Sequence, residues 1–418
     1  MSNSIHASVG EQGKNRPDDV RQVFLLLNDI RTEPLAVSDQ CSPELIQAIK
    51  DFQKNFLAQP DGRIDVGGRT WEKLIATAAG SSNHVNSLPP GNEQDKEFDI
   101  EFSTLNLEDN DKYQFEFKTT GTSIGFKVAI DGGRKSGLFL PENSATHLEG
   151  EVVSYRLSRL LGVSEIFNPV AYYTLKANAI RRFKLMLRSD EKSKWRRENT
   201  ETLLKRIDES PSFMLGIYKY RHKRKSQPVD KLIISNGLNR QHRMAQLINA
   251  EGTMPSKKAI TLEKVSPDKP EYPIPKESES VLAKQLSIIF TIDMLTGQWD
   301  RFSGGNIEVY AHKDGRLQFV ARDNGGSHLL WGWNWFNKYR SWLTRFDSDL
   351  IQELRLMKTF LDGKSDEYNG IVSTVSFADI VGFTNERTFK AFKEKLDIFL
   401  SDHVQSCEDR FGKKCYFS

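Results

Sequence analysis

No run of about 18 apolar residues occurs anywhere in this 418-residue chain, so nothing in it reads as a helix able to cross a bilayer. The first twelve residues lack both a basic start and an apolar core, so no standard secretory signal is visible, and export would need another route. Cysteine is scarce: Cys41, Cys407 and Cys415 are too few for a disulfide scaffold. Cys407 and Cys415, eight residues apart in a polar C-terminal stretch, suit either one disulfide or two reduced surface thiols. The eight histidines are scattered, with no His-x-His or His-x-x-x-His spacing, which argues against a histidine-built zinc site. Excess charge of one sign is also missing, the net charge being +3, and this weighs against a general or specific nucleic-acid binder. The one local exception is residues 176–225, with 16 Lys or Arg against 6 Asp or Glu. Such a run either meets an acidic protein or lipid headgroup or simply faces water.

What is present is an ordinary globular composition, 38% hydrophobic and 28% charged, in a chain long enough for two or three domains. After a tail (1–14), residues 15–79 carry three helical patterns. Asp18 and Asp19 open the first, with Val20, Val23, Phe24 and Leu27 at helical spacing; Ser42-Pro43 starts the second; Asp65 to Leu74 holds the third. Residues 80–97, punctuated by proline and glycine, predict a linker. Strands are expected at Phe98 to Phe102, Tyr113 to Lys118, Ile124 to Ile130 and Gly137 to Leu140, followed by a helix from Leu148 to Leu161. Pro255 to Lys276 reads as a loop before the apolar helix Val281 to Leu295. Strands followed by a mainly helical remainder make residues 98–418 a two-lobed α+β domain, with an N-lobe (98–222), a connector (223–280) and a C-lobe (281–418).

The densest chemistry lies between Asp300 and Asp323. Asp300 and Asn306 are six residues apart on one loop, and Asp323 follows 17 residues later behind the apolar run Leu317 to Ala321, which reads as a strand. That order suits a base and two metal ligands brought to one sheet edge, a set that phosphoryl transfer requires. Asp, Asn and Gly also favour turns by themselves, and each residue alone has that plainer reading. The Trp331 to Phe336 cluster reads as an aromatic platform for glycan or protein, or as core with an apolar rim.

Two resemblances follow from these residues. Pro34-Leu-Ala-Val, the helix from Glu44 to Gln53, and Asp61-Gly-Arg-Ile-Asp with Gly67-Gly-Arg-Thr-Trp-Glu-Lys-Leu resemble the three-helix peptidoglycan-binding domain, without the two glycines of that family's Asp-Gly-x-x-Gly-Pro turn. Glu151 to Gly162, Asp293 to Arg301 and Arg322 to Gly325 resemble the protein-kinase-like fold, most closely the secretory-pathway kinases of the Golgi casein kinase family and the HipA-type bacterial kinases. The second resemblance implies Asp300 as catalytic base, Arg301 as the residue holding its loop, Asn306 and Asp323 as ligands of Mg²⁺ or Mn²⁺, and Glu151 as the helix carboxylate anchoring the lysine that grips ATP. Where the family has Phe-Lys-Pro, this chain has Phe139-Leu140-Pro141, so Lys127 or Lys135 is expected to supply the charge, near Gly121 and Gly125. The expectation is an ATP-dependent kinase-like enzyme acting on a protein or other hydroxyl-bearing substrate. The alternatives are an inactive binding scaffold and a nucleotidyl transferase. Peptidoglycan, an immunity protein and a secretion apparatus are the expected partners, in the envelope or secreted fraction of a bacterium or delivered into a target cell.

Overall fold

The computed structural model describes residues 5–31, 34–54, 57, 59–81, 88, 91–118, 123–130, 134–142, 147–188, 194–209, 211, 213–220, 226–228, 246–251, 278–301, 306–312 and 315–417. Gly121, the 302–305 segment, the basic run 221–225 and the 255–276 loop lie outside the described residues.

Helix α1 (Pro17–Ile30) begins with proline at its first position and two acidic residues in its first turn, both suited to the positive end of the helix dipole. In α2 (Pro43–Gln53) the Ser42 hydroxyl accepts the Leu45 N–H at 3.3 Å, capping an end that Pro43 already favours. With α3 (Arg69–Ser81) and a two-stranded ribbon, β1 (Val9–Gly10) paired to β2 (Arg63–Ile64), these helices enclose a core of Val23, Phe24, Leu27, Leu45, Ile49, Phe52, Trp71 and Leu74. Gln53 locks the turn after α2: its amide donates to Asp61, to the Arg63 carbonyl and to Thr70, and its carbonyl accepts the Gly62 N–H. Gly62 has φ +72°, a conformation that glycine adopts without strain.

This helical unit is seated on the domain that follows. Phe213 stacks on Phe52 at 5.4 Å and joins the helical core, the Thr174 hydroxyl donates to the Thr77 carbonyl, and Lys73 pairs with Glu142.

Residues 98–102, expected as a strand, belong instead to helix α4 (Glu93–Ser103). The Phe-Asp-Ile-Glu-Phe alternation is read equally by a helix, because Phe98 and Phe102 are one turn apart and both buried. An Asn92–Asp95 capping box fixes the helical outcome and shortens the expected 80–97 linker from its C-terminal side.

Five antiparallel strands follow in the order β3 (Tyr113–Phe117), β4 (Phe126–Ile130), β5 (Arg134–Pro141), β7 (Phe213–Tyr220), β6 (Val170–Lys176). Between them in sequence lie α5 (Leu148–Leu160), α6 (Ala177–Arg188) and α7 (Lys194–Glu209). Helix α5 is buried along its whole length between sheet and C-terminal lobe. Its bonds explain the placement: Arg159 forks onto Asp99, Tyr155 donates to Asp95, and Glu149 accepts from the Thr384 N–H and the Thr388 hydroxyl. Gly150 is required here, since a Cβ would lie 2.1 Å from the Ser327 carbonyl oxygen.

The second lobe is built on α8 (Glu279–Thr296), a helix buried from Leu286 to Thr296 and ended by Gly297 at φ +72°. A small sheet orders β10 (Leu317–Ala321), β9 (Ile307–Ala311) and β8 (Ser226–Pro228). On α8 pack α9 (Trp333–Trp342) and α12 (Glu386–Ile398), while α10 (Ser348–Leu361) packs on α12, α11 (Thr374–Val381) on α5, and α13 (Gln405–Phe411) on the π-helical turn Phe399–Val404 that follows α12. Cys407 and Cys415 are unpaired thiols at 4% and 0% exposure, packed into this lobe, so neither the disulfide nor the surface-thiol expectation holds. The fold is α+β and two-lobed, and among the described residues no helix is long and apolar enough to cross a membrane.

Candidate active site

The two lobes meet at the end of β7, where a lysine absent from the expected set is found. Lys219 pairs across the sheet with Leu138 and with Val170, and its side chain is 7% exposed. Its Nζ lies 2.5 Å from Glu151 Oε1 and 3.8 Å from Asp323 Oδ1. The other Glu151 oxygen accepts the Asn324 N–H at 3.1 Å. One carboxylate on a buried helix therefore fixes both a sheet lysine and the turn that carries Asp323.

Burial pushes Glu151 up to about 7, Lys219 opposing and Asp323 adding to the rise. Burial also works against charge on Asp323, but Lys219, the bond from Glu151 and the Gly325 N–H outweigh it and hold this carboxyl well below the usual carboxylate range. Asp323 is therefore anionic across the neutral range.

Arg301 organises the facing loop. It is fully buried, and its guanidinium forks onto Asp293 at 2.7 and 2.9 Å. The remaining donors reach the carbonyls of Asn306 and Asp323 and the side-chain oxygen of Asn324. Burial disfavours its charge, and Asp293 more than compensates. Gln298, also fully buried, donates to the Asp323 carbonyl at 3.0 Å and accepts the Asp300 N–H at 2.9 Å. Asn306 closes the set by donating its amide to the Asp300 carbonyl at 2.5 Å. Asp300, Asn306 and Asp323 are thus tied together through main-chain atoms by two buried residues.

Lys219, Asp323 and Asn306 line a cleft of about 290 Å³ whose other polar walls include Lys118, Lys127 and Arg322. Four cations and one anion suit a polyphosphate chelated to a divalent metal. Among the described residues no group of three or more His, Cys, Asp or Glu could hold a metal unaided. The Asp323 carboxylate, 49% exposed, and the Asn306 amide are instead hard oxygen donors beside a phosphate-sized, cationic space, the donor set for Mg²⁺ or Mn²⁺ bound jointly with a nucleotide.

Of the two lysines expected to supply the charge, the structure shows Lys127 with another partner and gives Lys135 a strand position. Lys127 lines the cleft but pairs with Glu116 at 3.1 Å, and Lys135 is the second residue of β5, paired with Ala129, rather than part of a turn. Gly125 sits where a Cβ would lie 2.4 Å from the Phe139 carbonyl oxygen, a strand-packing role. Lys219 escapes sequence reading because it stands in an apolar strand next to the basic run that follows. Its signal is that it is the one ionisable side chain other than tyrosine in Phe-Met-Leu-Gly-Ile-Tyr-Lys-Tyr.

No family model matches the chain, and no curated protein matches it either. Among solved structures it is similar to the crystal structure of the Golgi casein kinase with Mn/ADP bound, at a TM-score of 0.47 and 13% identity over 73% of this chain and 75% of that one. It is similar to a second crystal structure of the Golgi casein kinase at 0.46 and 13%, with the same coverage.

Proposed function

We propose that the chain is a kinase-like phosphotransferase that uses ATP with Mg²⁺ or Mn²⁺. The observation that carries this reading is Lys219, held by Glu151 and facing Asp323 in a cleft lined by cations. A lysine so placed is oriented before any ligand arrives, and it can grip the α and β phosphates without reorganisation. Asp323 and Asn306 would hold the metal, which neutralises charge on the phosphates. Asp300 would accept the proton of the acceptor hydroxyl as the oxygen–phosphorus bond forms and ADP departs with the bridging oxygen. Arg301 and Gln298 keep these groups in register and touch no substrate. Because Lys219 supplies the charge that Leu140 cannot, an active enzyme is favoured over a bare scaffold.

The test is incubation of the full chain with γ-labelled ATP and Mg²⁺ or Mn²⁺, alongside Asp300→Ala and Asp323→Ala. Label transfer by the wild type and its loss in both variants supports the proposal. A parallel incubation with α-labelled ATP that alone transfers label would mean nucleotidyl transfer, and no transfer of either label with no nucleotide-dependent rise in Tm would overturn both.

We further propose that the N-terminal helices bring this enzyme to peptidoglycan as part of a bacterial effector, on the strength of the residue resemblance above. Trp71 and Phe52 are core residues, so the glycan-facing surface would lie elsewhere on the unit. Sedimentation of the full chain with insoluble peptidoglycan tests this, and protein that stays in the supernatant would refute it.

A further inference from the structure

Beside Lys219 the wall of the cleft turns apolar. Leu138 is paired directly with Lys219, and Leu140 lies two residues further along β5, so both leucines share the sheet face of the ammonium and line the cleft with it. Asn168, just ahead of β6, lines the same cleft.

Bonds to both lobes fix Asn168 in place. Its N–H donates at 3.1 Å to the carbonyl of Ala321, the last residue of β10 and two before Asp323. Its side-chain amide nitrogen donates at 3.0 Å to the carbonyl of Tyr220, the neighbour of Lys219 on β7. Tyr220 has no polar group left to offer a ligand, because its N–H donates to the Pro169 carbonyl and its hydroxyl to Glu97.

Only the nitrogen of an amide can donate, so the Tyr220 bond decides which end of the Asn168 side chain is left over. That end is Oδ1. Among the described residues nothing donates to it, although Asn168 is only 5% exposed, and a buried acceptor without a donor carries a cost that a ligand can remove. Oδ1 is not one of the orphan polar atoms sealed inside the protein, and the opening that its residue lines is the cleft.

Resting on the phosphotransferase reading, we propose that Asn168 is the residue that selects the nucleobase, its Oδ1 accepting a hydrogen bond from the 6-amino group of adenine. With the phosphates at Lys219, the purine lies against Leu138 and Leu140, and its amino edge supplies the donor that Oδ1 lacks. Guanine and hypoxanthine carry an oxo group at that position. Either would set one acceptor against another in a buried place, and a site built to bond a donor rejects an analogue that lacks it. Asn168 is therefore a specificity residue, and no part of the phosphoryl transfer itself passes through it.

The experiment measures the rise in Tm of the full chain against rising concentrations of ATP, inosine triphosphate and GTP, each with Mn²⁺, for the wild type and for Asn168→Leu. Inosine triphosphate offers an oxo group where ATP has its amino group, so the pair isolates the contact. Wild-type protein should bind ATP at least about tenfold more tightly than either oxo nucleotide. Asn168→Leu should bring ATP and inosine triphosphate within about threefold of each other by weakening ATP alone, whereas a variant that merely damaged the fold would weaken both. Equal binding of ATP and inosine triphosphate by the wild type, GTP bound as tightly as ATP, or an undiminished preference for ATP in Asn168→Leu would overturn the assignment and leave the phosphotransferase reading standing. No rise in Tm with any of the three nucleotides would overturn that reading as well, so the two failures are distinct.

Discussion

Lys219 Nζ and Glu151 Oε1 lie 2.5 Å apart at the junction of β7 and α5, and this contact couples the sheet to the helix that also holds the turn after Asp323. Glu151 has no exposure, so it cannot exchange this partner for water without movement of α5. The pair is the point at which sheet, helix and metal-side turn become one arrangement.

Substitution Lys219→Met keeps the length of the side chain and removes its charge. ATP-dependent transfer should fall about 100-fold or more, with a smaller nucleotide-induced rise in Tm. Lys127→Met, whose partner is Glu116, should lose much less. Steady-state kinetics with varied ATP checks both.

Arg301 has a structural consequence separable from nucleotide binding. Removal with Arg301→Ala leaves Asp293 buried without a counter-charge, its bond from the Tyr339 hydroxyl remaining, and should destabilise the fold by about 3–5 kcal/mol. Arg301→Lys restores charge but not the fork that also reaches Asn324 and the carbonyls of Asn306 and Asp323, so it should recover only part of that loss. Urea unfolding followed by circular dichroism measures the difference.

Stability should fall as pH drops from about 6.5 towards 4. Burial lowers His403 to about 4, and its Nε2–H donates to the Leu343 carbonyl between the rings of Phe346 and Phe399. Between those values the unfolded chain binds the proton and the folded chain does not, so acid favours unfolding, by at most about 3 kcal/mol from this group. His403→Gln keeps a donor for Leu343 and removes the titration, so the slope of unfolding free energy against pH should flatten over that interval.

Lys395→Met should loosen the loop that carries Trp331. The carbonyls of Leu329 and Trp331 lose their buried donor, at a cost of about 2 kcal/mol in stability. Urea unfolding of the variant against wild type measures that loss.

How much of this was legible in the sequence depended on whether the signal was local. Asp300, Arg301, Asn306 and Asp323 could be picked out because turn chemistry and a short apolar strand are written in consecutive residues, and the structure brings all four into one hydrogen-bonded set. Helix α5 could be placed because Val152, Val153, Leu157 and Leu160 repeat at helical spacing. Lys219 could not, since the pairing of β5 with β7 spans about eighty residues and three intervening helices, and no local pattern reports which strand lies next to β5. The α4 segment failed for a different reason: the period-2 and period-3.6 readings of Phe98 to Phe102 coincide over five residues, and the deciding cap at Asn92 lies outside the window.

The central claim is that Lys219 is the phosphate-gripping lysine, and a crystal structure of the full chain with Mn²⁺ and a non-hydrolysable ATP analogue tests it most directly. The expected result is Lys219 Nζ about 3 Å from an α- or β-phosphate oxygen while still paired with Glu151, with Asp323 and Asn306 on the metal. A nucleotide held by Lys127 or Lys135 with Lys219 uninvolved, or one bound outside the cleft, would contradict it.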